Sequence, residues 1–165
     1  MRWIDPIVGI AVACASLAAF AALPSVIAPA GRWAALRGPA HCEAASLALL
    51  PAGPMRAQGR ASLRFDAQRR GEFAARLSRV PRAGSSVMLT IGDTPFLLVT
   101  RGGLAWSRGA AQEQAIIAAL RNALGMRIEA RAANGARFVD RYLLDGAPTA
   151  IDAAAACAAT MPRRR

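Results

Sequence analysis

MRIEARAANGARFVDRYLL, residues 126–144, is the stretch that decides the fold. Met126, Ile128 and Ala130 alternate with Arg127, Glu129 and Arg131. Successive side chains of an extended chain point to opposite sides, so this rhythm puts an apolar and a charged face on one strand. Asn134-Gly135 follows and is suited to a type I′ turn. Phe138 to Leu144 then runs back, which makes an antiparallel hairpin. Asp140 and Tyr142 share one face of the return strand and Arg141 takes the other.

A second hairpin lies upstream. Val87 to Ile91 is apolar and partly β-branched, Gly92-Asp93-Thr94 is a tight connection, and Pro95 to Thr100 returns. Ala61 to Asp66 and Phe73 to Val80 also alternate, and Leu104 to Trp106 is a short strand after Gly102-Gly103. Ala45 to Leu50 reads as a strand or a helical turn ended by Pro51. Between the hairpins one segment has helical spacing. Ser107 or Gly109 opens it, Ile116, Ile117, Leu120 and Leu124 form its apolar face, and Gly125 stops it. Thr149 to Thr160 is an Ala-rich helix carrying Cys157. The expected fold is mainly β: an antiparallel β-sandwich or partial barrel with one inserted helix and a C-terminal helix, preceded by an N-terminal hydrophobic helix.

That first helix is expected because Pro6 to Gly31 carries no charge. The run is long enough to cross a bilayer. It also fits a secretory signal with its apolar centre at Ile7 to Leu23 and a small-x-small cleavage site at Ala28-Pro29-Ala30. Pro24, Pro29 and the small residues favour cleavage. The length of the run, and an n-region in which Asp5 cancels Arg2, favour retention. Both readings export the rest of the chain. The expected location is periplasmic or extracellular, with a tether to the inner membrane if the run is kept. The expected divisions are residues 1–30 as signal peptide or membrane anchor, 31–60 as a Gly/Pro/Ala-rich segment, 61–162 as the β-domain, and 163–165 as a basic tail.

The net charge is +11, and all 21 basic residues are Arg. Such a surface attracts anionic partners without selecting among them. Export and the lack of interleaved aromatics argue against nucleic acid. Two cysteines follow the leader, Cys42 and Cys157. In an oxidising compartment such a pair is more often a disulfide than two free thiols, the alternative being two buried thiols in an Ala-rich core.

Little in the chain suggests catalysis. His41, the only histidine, sits beside Cys42 without a nucleophile elbow. One His and two Cys make no familiar zinc site. Gly102, Gly103 and Gly109 are not followed by the Gly-Lys-Ser/Thr of a phosphate loop. No catalytic residue, metal or cofactor is expected. Asp140 and Tyr142 are read either as a polar binding patch or as polar groups satisfied at a sheet corner, and the second reading is preferred.

SVMLTIGDTPFLLV at 86–99 and AIIAALRNALGMRIEARAANGARFVDRYLLDGAPTAIDAAAAC at 115–157 resemble exported proteins of the invasion-associated locus B family. The counterparts of the family pattern are Met126, Ile128, Gly135, Asp140, Tyr142, Leu144, Gly146 and Cys157. Leu143 stands where the family often has Ser. The resemblance implies an exported β-sandwich domain with a disulfide. The expected function is a non-enzymatic protein–protein interaction domain, whose partner would be a membrane complex or a host-surface protein. The alternative is a membrane-anchored accessory subunit of a larger inner-membrane complex, with the β-domain on its periplasmic side and residues 6–30 in the membrane.

Overall fold

The computed structural model describes residues 24–54, 56–66 and 70–162. Most of the expected signal or anchor, together with the basic tail 163–165, lies outside them. The strands are β1 (Ser25–Ala30), β2 (Trp33–Arg37), β3 (Cys42–Leu47), β4 (Arg60–Phe65), β5 (Arg70–Arg76), β6 (Val87–Ile91), β7 (Thr94–Arg101), β8 (Leu104–Trp106), β9 (Gly125–Arg131) and β10 (Arg137–Leu143). Helix α1 is Ala110–Asn122 and α2 is Ala147–Ala159. Among the described residues the ladder is continuous and antiparallel, in the order β1-β2-β3-β4-β5-β8-β7-β6-β9-β10. The expected mainly antiparallel chain with one inserted and one C-terminal helix is what the fold contains.

Strand β7 joins the two halves. Thr94 to Leu98 pair with β6, and Val99 to Arg101 pair with β8. The sheet bends there and its last strand comes back towards β2 and β3. The Trp33 indole N–H donates to the Leu143 carbonyl at 3.0 Å. The Leu49 N–H donates to the Arg141 carbonyl at 2.9 Å. The concave face holds the core, which includes Trp33, Leu63, Phe73, Leu89, Ile128 and Ile151.

Helix α2 covers the β1–β4 part of the sheet. Its buried face is Ala147, Ala150, Ile151, Ala154, Cys157 and Ala158. Small side chains let the helix approach β2 and β3 closely. The Cys42–Cys157 disulfide fixes it there, with the two Cα atoms 6.1 Å apart and 115 residues between them in sequence. Cross-linking so long a loop restricts the unfolded chain, a stabilisation of about 3–5 kcal/mol in the chain-entropy account. The turn into α2 depends on Gly146. Its φ is 80°, and a Cβ there would run into the Ala30 carbonyl. A side chain is therefore excluded twice over, by backbone conformation and by contact.

Several expectations need correction. The segment 31–60 contains β2 and β3, two strands paired on both sides; their alanines gave no alternation to read. Residues 25–30, counted with the leader, form β1, so the 30/31 boundary falls inside the folded sheet. Strand β5 ends at Arg76, short of the expected Val80. Leu124 is 91% exposed, because α1 ends at Asn122 and the chain has already turned towards β9. At Asn134-Gly135 only Gly135 has a positive φ, 81°. A type I′ turn needs two such residues. The loop instead closes through the Gly135 N–H to the Ala132 carbonyl and the Ala132 N–H to the Ala136 carbonyl.

Candidate functional site

Two regions could do chemistry or bind, and they differ in access. The first is the corner that holds Asp140 and Tyr142. Both come from β10, whose alternation buries them and exposes Arg141. Each is 2% exposed. Asp140 Oδ2 accepts the Ser78 N–H at 2.9 Å, which ties β10 to the segment after β5. A Cβ on Gly59 would lie 2.9 Å from Asp140 Oδ2 and from the Tyr142 hydroxyl, so only glycine leaves room for both groups. The Tyr142 hydroxyl has no hydrogen-bond partner. Burial, and secondarily the Asp140 charge, push its pKa well above the usual tyrosine value. The phenol therefore stays protonated. This pair is almost wholly internal.

The second region is open. From the last residue of β3 the chain reads Leu47-Ala48-Leu49-Leu50-Pro51. Leu47, Leu49 and Leu50 are 52%, 43% and 51% exposed. The segment is held in place despite that exposure. The Ala48 N–H donates to the Gly59 carbonyl at 2.8 Å, the Leu49 N–H reaches Arg141, and Gln58 Nε2 donates to the Ala48 carbonyl at 3.0 Å. A groove of about 600 Å³ runs beside it, floored by Ala34 and Ala45 and walled by Leu36, Leu47, Leu49 and Arg60. Leu49 also lines a neighbouring depression of about 220 Å³ that includes Arg127, Arg141 and Leu143. The arrangement is a strip of leucines with guanidinium groups on both flanks.

Two of these guanidinium groups, Arg60 and Arg127, are already ion-paired. Glu129 Oε2 accepts from Arg127 Nε at 2.8 Å, and its Oε1 accepts from Arg137 Nη2 at 2.7 Å. Hydrogen bonds from Arg137 first and Arg127 second hold the Glu129 carboxyl below the usual range. Glu43, 6% exposed, receives Arg60 Nη2 on Oε1 at 2.6 Å. His41 is half-buried. Burial, then the Arg64 charge, lower its pKa. Among the described residues no three His, Cys, Asp or Glu side chains gather as a metal site. None of the described helices is long and apolar enough to cross a membrane.

The sequence reading named Cys42, Cys157, Asp140 and Tyr142. The cysteines are joined, and the other two lie together in the interior. The reading passed over the Leu47–Leu50 strip, whose only signal was an apolar run ending at a proline.

The fold belongs to the class of antiparallel β domains closed by a C-terminal helix. It is similar to the crystal structure of invasion associated protein B from Bartonella henselae, with a TM-score of 0.61 and 15% identity, covering 82% of this chain and 98% of that one. At that identity the likeness is one of fold. No family model matches the chain, and no curated protein does.

Proposed function

We propose that this chain is an exported, non-enzymatic binding domain of the invasion-associated locus B family that holds another protein on its leucine strip. The observation that carries the reading is the exposure of Leu47, Leu49 and Leu50 on a hydrogen-bonded segment. Folding ordinarily buries leucine, and clustered exposed apolar side chains with a polar rim mark contact surfaces. The rim here is Arg32, Arg60, Arg127 and Arg141, on a chain of net charge +11. The complementary partner has an apolar centre and acidic edges. Arginine steers its approach and the leucines supply the contact.

The test is a double substitution, Leu47→Ser with Leu49→Ser, compared with the native chain in cross-linking and pull-down from its own cell envelope. Partner capture should fall about tenfold at unchanged melting temperature, since removing two apolar contacts that together contribute about 1.4 kcal/mol weakens binding by that factor. Capture of the same partner by the variant would defeat the reading. The anchored accessory subunit remains a second reading, favoured by the uncharged residues 6–24 that precede β1. It predicts a full-length chain in the membrane fraction that resists extraction by salt.

A further inference from the structure

The small-x-small sequence Ala28-Pro29-Ala30 is the obvious processing site, but the structure places it within a strand the fold uses. Ser25, Val26, Ala28, Pro29 and Ala30 pair with β2 in antiparallel register. Ala28 and Ala30 pack against the core. The Ala30 carbonyl sits over Gly146, where a Cβ would displace it, and α2 packs on β1. The Arg32 N–H donates to the Asp145 carbonyl at 3.1 Å just beyond. A chain cut after Ala30 would lose a strand and bare the edge of β2.

We propose that the export signal ends at Ala21, so that the exported domain begins at Ala22. Ala19-Phe20-Ala21 is itself a small-x-small site. The proposal rests on the reading in which the leader is removed. It also explains the length of the uncharged run, which had favoured a membrane anchor. An export signal uses an apolar core of roughly 7 to 15 residues. Ile7 to Ala18 fits that span, Ala19 to Ala21 is the recognition site, Ala22 to Pro24 is a short lead, and Ser25 to Ala30 is β1. The run is thus two elements end to end, a signal core and a strand, neither of which carries charge. In the reaction a signal peptidase hydrolyses the Ala21–Ala22 amide. Water supplies the hydroxyl that makes the Ala21 carboxyl group and the proton that completes the Ala22 amine.

The experiment is expression of the full chain in a bacterium with a functioning export pathway, followed by fractionation, intact mass and N-terminal sequencing. A product starting at Ala22 is expected. A start at Gly31, or anywhere beyond Ser25, would overturn the placement while leaving the cleaved reading intact. A full-length product in the membrane fraction would overturn the cleaved reading itself. Ala21→Tyr, at a position that precedes β1 in the sequence, should leave most of the chain as uncleaved precursor. Normal processing of that variant would also overturn the proposal.

Discussion

Strands β2, β3 and β4 turn Ala35, Ala44 and Ala61 inward around Trp33 and Leu63, whereas β6, β7 and β9 turn in Leu89, Ile91, Phe96, Leu98 and Ile128. Each buried alanine removes little apolar surface from water, and hydrophobic stabilisation follows that area. The first half of the sheet therefore gains less from each inward side chain. In exchange its flat inner face accepts α2 at close range, and the Cys42–Cys157 bond holds the helix on it. The second half turns in larger side chains, each of which removes more apolar surface from water. The contrast shows one continuous sheet using covalent closure where its side chains are small and packing where they are large.

Replacing both Cys42 and Cys157 by Ser should have the largest effect, a loss of about 3–5 kcal/mol in denaturant unfolding. Hydrogen exchange should show α2, β1 and β2 losing protection before β6, β9 and β10. Uniform loss across the sheet would break the comparison. Ile128→Ala tests the other half. Ile128 is fully buried, so the change should cost about 2–5 kcal/mol. Ala44→Gly, at an equally buried position in β3, should cost only about 1 kcal/mol. Similar losses for the two would contradict the division.

Smaller effects sharpen the picture of the buried corner. Tyr142→Phe removes a hydroxyl that has no partner, so stability should change by less than about 1 kcal/mol and in the stabilising direction. A clear loss would mean that the hydroxyl is hydrogen-bonded in solution. The smallest expected effect is the titration of His41. Its pKa is lowered in the fold, so the unfolded chain binds the proton more readily. The stabilisation linked to it is complete above the unfolded value of about 6.5 and declines as pH falls through the folded value. As His41 is the only histidine, a single imidazole signal in an NMR titration reports it directly. A midpoint above about 6.5 would contradict the burial and Arg64 effects.

The second half was the legible half. Ile128 alternates with Arg127 and Glu129, and Val87 to Ile91 is an apolar, partly β-branched run ended by Gly92-Asp93, so strands and hairpins could be read at close to their true limits. Helix α1 showed itself through Ile116 and Leu120. In the first half Ala34, Ala35, Ala44 and Ala45 distinguish no inner face from an outer one, and β2 passed unread. Strand β1 was hidden for a different reason. An apolar strand and the end of an apolar leader have the same composition, and pairing alone separates them. The corner at Asp140 was half legible. The sequence put Asp140 and Tyr142 on one face, but Ser78 and Gly59 are remote from both along the chain.

Local patterning thus determined β4, most of β5, the antiparallel strands of the second half, both helices and the candidate cysteine pair, because period, turn residues and residue type act over a few positions. Tertiary structure alone decided the sheet order, the inclusion of residues 25–30 and the burial of Tyr142. It also left Leu47, Leu49 and Leu50 in solvent. These outcomes depend on which surfaces meet when β7 bends the sheet and α2 closes it, and no short stretch of sequence carries that information.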